Sequence, residues 1–151
     1  MHCTFTKRQI AHSQIQHALE CFSTHQDYIS TITLAGAAEE ICGKALKRRK
    51  ITHALDDQIR LLQAIERKLG GPETKTEDWI AHLNRPRNEL KHWSILGISE
   101  VTADWREEAR AMLDRAITNY MTLYEDHVTD EMHAFIVTSF REESDDDACE
   151  D

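Results

Sequence analysis

TADWREEARAMLDRAITNYMTLYE, residues 102–125, decides the fold class. Trp105, Ala109, Met112, Leu113, Ala116, Tyr120 and Leu123 recur at spacings of three and four, which places them on one face of an α-helix. The same period extends toward both ends. A first helix is expected from about Thr6 to Ser23, with Ile10, Gln14, Ala18, Leu19 and Phe22 along one side. A second should run from about Asp27, a plausible N-cap, to Arg49, with Leu34, Ala38, Ile41 and Ala45 in register. A third, from about Thr52 to Leu69, carries Leu55, Ile59, Leu62 and Leu69 and should stop at Gly70-Gly71-Pro72.

Thr76 reads as the cap of a fourth helix holding Trp79, Ile80 and Leu83. Pro86 restrains Arg85 to extended geometry and suits the first turn of a new helix. A short break at Asn84-Arg85 and a helical segment from Pro86 to Trp93 follow from that. A link over Ser94 to Val101 leads into the 102–125 helix, and a last short helix spans about Asp130 to Arg141 with Met132, Phe135, Ile136 and Phe140. The segment Ile29 to Leu34 is β-prone in composition, but the helical stripe continues through it. The expected fold is all-α: an up-and-down bundle of five to six helices over residues 1–141. Residues 142–151 hold seven of the chain's 27 acidic groups and too little apolar content to fold, so an acidic, disordered tail is expected there.

The net charge of −9 argues against a nucleic-acid partner until its distribution is considered. Without the tail, 20 acidic groups face 18 basic ones. One basic run stands out, Lys44 to Lys50, with Lys47 and Arg48 at its centre. It reads either as a solvated helix end that complements the dipole or as part of a surface tracking a phosphate backbone. There is no run of about 18 apolar residues to span a membrane and no signal-peptide core near the start. Cys3, Cys21, Cys42 and Cys149 lack paired spacing, which fits reduced thiols and a cytoplasmic protein.

Candidate chemistry concentrates in Arg87-Asn88-Glu89-Leu90-Lys91-His92. Arg87 offers a planar fork of donors matched to phosphate oxygens. His92 is the residue type best suited to proton transfer near neutral pH. Asn88, four residues before it, could steer the ring on a helix. Arg-x4-His alone is a weak signal, since Arg48 and His53 repeat it; the Asn beside Arg87, one of only three in the chain, adds specificity. Arg85 and Lys91 add positive charge, and Trp93 is either core or a platform on which a base could stack. On an ideal helix Arg87 and His92 lie about 140° apart. They can cooperate only through a distorted helix start or where two copies meet.

Arg-Asn-x3-His resembles the signature of the HEPN superfamily, small all-helical proteins that include many metal-independent ribonucleases. The resemblance implies a homodimer in which two motifs line one cleft. Arg87 would hold the scissile phosphate, Asn88 would position neighbouring groups, and His92 would assist proton transfer to or from the RNA's own 2′-hydroxyl. No cofactor is implied, and such proteins commonly serve bacterial defence or toxin–antitoxin systems, with an antitoxin as partner. The alternative is a non-catalytic helical module that binds a partner protein or nucleotide. Gly36 and Gly43 either let a neighbouring helix approach closely, or their flank turns Glu39 or Glu40 toward Arg87 or His92. His17, Cys21 and His25 recur every four residues, but no fourth ligand is evident, so they read as surface residues and no metal is expected.

Overall fold

The computed structural model describes residues 2–92 and 100–146, with side chains to Ser139. Among the described residues seven α-helices form a bundle and no strand occurs. They are α1 (Lys7–Glu20), α2 (Tyr28–Arg48), α3 (Ala54–Lys68), α4 (Thr76–Leu83), α5 (Arg85–Glu89), α6 (Trp105–Leu123) and α7 (Asp130–Asp146).

Local chemistry sets most of the boundaries. Thr6 closes a capping box on α1: its hydroxyl accepts from Gln9 N at 3.2 Å, and Gln9 Oε1 accepts from Thr6 N at 2.9 Å. Asp27 caps α2 through Ser30 N at 3.0 Å, and Asp104 caps α6 through Glu107 N at 3.1 Å. Gly70, at φ 71, takes the left-handed position that ends α3.

Three boundaries outside the hexapeptide region depart most from expectation. The first helix turns into a π-helix over Cys21–His25 and closes on left-handed Gln26. Thr76 is the first residue of α4 rather than its cap, and its hydroxyl accepts from Gln63 Nε2 at 3.3 Å. α7 continues to Asp146, so the helix enters the acidic segment expected to be disordered; residues 147–151 lie outside the described residues, as do Trp93 and most of the expected link.

The core lies where α1, α2 and α6 meet, with α7 laid against it through Met132. Ala11, Ala18, Ala35, Ala38 and Ala116 are fully buried, and these small side chains let the three helices pack closely around Ile15, Leu113, Ile117 and Tyr120. α3 and α4 form an outer hairpin. Leu55 and Ile59 of α3 are buried as the stripe requires, but Leu69 is 81% exposed and does not belong to the core. No described helix is long and apolar enough to cross a membrane.

Leu113 is fully buried at the centre of this packing. Leu113→Ala should therefore destabilise the chain by about 2–5 kcal/mol, read from urea unfolding followed by circular dichroism.

Candidate nucleic-acid interface

The hexapeptide begins on a short helix wedged against α2. Pro86 is buried in the first turn of α5, where its missing N–H costs nothing. The break that precedes it is a single residue, Asn84. α5 ends at Glu89, earlier than expected, although His92 N still donates to Asn88 O at 3.1 Å. That shortness separates the three motif side chains. Arg87 turns inward, while Asn88 and His92 are exposed and share no side-chain hydrogen bond.

Arg87 lies in a notch that only glycine leaves open. A Cβ on Gly36 would stand 2.5 Å from Arg87 Cδ and 3.1 Å from Cγ. From this notch Arg87 Nη1 donates to Gly36 O and to Glu39 Oε2, each at 3.3 Å. The two side chains are 14% and 8% exposed, so this is a nearly buried ion pair. Both readings of the Gly36–Gly43 flank are thus realised: the glycine admits a close neighbour, and Glu39 is the carboxylate that meets Arg87.

A second guanidinium joins from α6. Arg115, 5% exposed, donates through Nη2 to Asn84 Oδ1 at 3.3 Å and to Leu83 O at 3.4 Å. Burial holds Arg115 below its ordinary range; the Glu39 carboxylate opposes that effect and the Arg87 charge adds to it. Glu39 is therefore the direct partner of one guanidinium and lies within electrostatic reach of a second. The single break residue Asn84, itself buried, anchors the α4–α5 junction to α6. Asn119, one turn beyond Arg115, accepts from Ala54 N at 2.8 Å and fixes the start of α3. Cys42, fully buried nearby, has its thiol pushed up to about 12 by burial and then by Glu39, which removes it as a nucleophile at neutral pH.

Outside this network the chain presents a groove of about 410 Å³. Lys7 of α1, Lys44 and Arg48 of α2, and Lys91 of the hexapeptide line it, with Tyr124 at one side. Glu40 is the acidic member and is bound by Lys44, whose hydrogen bond holds the carboxyl below its usual range. The basic run and the hexapeptide, far apart in sequence, thus share one surface through Arg48 and Lys91. Lys47 and Arg85 are exposed but do not line the groove, and Trp93 is not among the described residues.

Lys7 and Tyr124 were missed because nothing local marks them; only the packing of α1 and α6 on α2 brings them there. Arg115 and Asn119 could have been suspected as polar residues four apart beside the apolar stripe of α6. Of the three spaced metal-ligand types, His17 bonds to Ser13 O while Cys21 and His25 fall in the π-helix, which breaks their four-residue register. No group of three ligating side chains is gathered among the described residues. Comparison of the chain with protein-family models, curated proteins and solved structures finds no match.

The two glycines of α2 should respond in opposite directions. Gly36→Ala forces the Arg87 stem out of its notch and should cost about 1–3 kcal/mol. At Gly43 a Cβ would find its nearest neighbour at 3.7 Å, an ordinary contact. Gly43→Ala should therefore be neutral or stabilising by about 0.5–1 kcal/mol, through helix propensity. Thermal denaturation of the two variants beside the parent checks this contrast.

Proposed function

We propose that this chain is a HEPN-like RNA-binding protein and a metal-independent endoribonuclease acting as a homodimer. The observation that carries the reading is the groove in which Lys7, Lys44, Arg48 and Lys91 converge beside the hexapeptide. Four cations from three separate segments suit an RNA backbone, whose phosphates recur along the chain, better than a single small anion. Lys91 joins the groove to the motif. His92 is exposed and directly follows Lys91, so a strand held by the cations would come close to the proton-transfer group.

The division between inward Arg87 and outward His92 also favours two copies acting together. A guanidinium carries five donors, so the contacts of Nη1 with Gly36 O and Glu39 do not exhaust Arg87. They fix its plane, which is what a phosphate contact of defined geometry needs. In the proposed reaction the 2′-hydroxyl attacks the adjacent phosphorus, the P–O5′ bond breaks, and His92 handles the proton. The products are a 2′,3′-cyclic phosphate and a 5′-hydroxyl.

Incubation of pure protein with mixed RNA in EDTA tests the reading. Cleavage should persist in the chelator and leave cyclic phosphate ends. His92→Ala should abolish it with helix content unchanged. Lys44→Ala and Lys91→Ala should each weaken RNA binding and lower the salt slope by about one. Cleavage that needs a divalent metal, or that survives in folded His92→Ala protein, overturns the mechanism. RNA affinity that is indifferent to both lysines overturns the groove.

A further inference from the structure

α3 has two apolar stripes, and only one of them is used by the bundle. Leu55 and Ile59 are buried and Leu62 is half-buried. On the other side of the helix Leu61 is 62% exposed and Ile65 is 43% exposed. At about 100° per residue, Ala54, Asp57, Leu61, Ala64 and Lys68 fall on that outer side. Their spacing alternates between three and four residues, the seam along which two helices pack side by side.

The order of residues on this seam is self-complementary. An acidic residue, Asp57, lies near the start, an apolar centre follows, and Lys68 closes the end. We infer that the outer face of α3 docks a second copy of the chain, the two α3 helices running antiparallel about a two-fold axis level with the midpoint of Leu61 and Ala64. In that register Asp57 faces Lys68 of the other copy, twice by symmetry, and each Leu61 packs over the small Ala64 of its neighbour. The two helix dipoles oppose each other, which is favourable. A partner of one charge sign would meet a like charge at one end of the seam, whereas a second copy meets opposite charges at both.

Asp57 is also 3.5 Å from Arg60 within α3, but both side chains are more than half exposed, and such a pair leaves the carboxylate accessible. Ile65, one turn after Leu61 and 43% exposed, widens the apolar surface beside the seam. A helix of this length is about 22 Å long, and a stable interface needs about 800 Å² from each partner. The contact is therefore a modest one, and the dimer should dissociate in the micromolar range. The inference rests on the homodimer of the proposed function and not on its RNA chemistry.

The test is sedimentation equilibrium of the full chain across micromolar concentrations, with four variants. The parent should show a reversible monomer–dimer equilibrium, and Leu61→Glu should be monomeric with unchanged helix content. Asp57→Lys and Lys68→Asp should each weaken dimerisation by about threefold to tenfold. The double variant should return close to the parent, because it restores both opposed pairs. Single charge reversals without rescue in the double variant overturn the antiparallel register. A dimer that survives Leu61→Glu overturns this face while leaving the homodimer standing. A parent monomeric at every concentration overturns both.

Discussion

The pairing of one buried carboxylate, Glu39, with the Arg87 guanidinium, in the electrostatic field of Arg115 from α6, organises the side of the bundle where the hexapeptide lies. Arg87 reaches it from α5 and Arg115 lies near it from α6. Removing either partner of such a pair is far more costly than the pair itself is stabilising, since a charge is then left without compensation in a low-dielectric interior. The arrangement therefore acts as a specifier. It sets the position of α5, the angle of the α4–α5 junction through Asn84, and the height of the motif above α2.

Residues that act on their immediate neighbours were readable in advance. Asp27 caps α2, Gly70 ends α3, and the stripe of α6 is the core stripe, because each depends on contacts within one turn or on one amphipathic face. The failures share a different cause. The π-helix after Glu20 adds a residue to a turn and leaves no trace in apolar spacing. Leu69 continues the stripe of α3 in sequence, yet the chain ends that helix one residue earlier and turns the side chain to solvent. Leu61 and Ile65 fall outside the stripe that was counted, and counting one stripe hides the other.

The candidate site divides along the same line. Arg87, Asn88, His92 and Lys91 were visible as a cluster because they are consecutive or nearly so. Glu39 was visible as one of two alternatives, and the packing at Gly36 selects it over Glu40, which Lys44 holds instead. Arg115 showed only as a polar residue beside the apolar stripe of α6, and Lys7 was not visible at all. One depends on α6 presenting a long polar stem between apolar neighbours, the other on the N-terminus of α1 lying beside the C-terminal half of α2. Long side chains from distant segments meet by tertiary packing, which no spacing rule encodes.

A chain with a net charge of −9 can still present a surface suited to anions, and the distribution of charge explains how. Coulomb interactions between exposed groups are largely screened beyond about 8–10 Å at physiological salt. A phosphate in the groove therefore responds mainly to Lys7, Lys44, Arg48 and Lys91, with Glu40 already engaged by Lys44. Of the acidic residues near the end of the chain, Glu142, Glu143, Asp145 and Asp146 belong to α7, which packs on the core through Met132, Phe135 and Ile136. Local geometry, more than total charge, decides what this surface can bind.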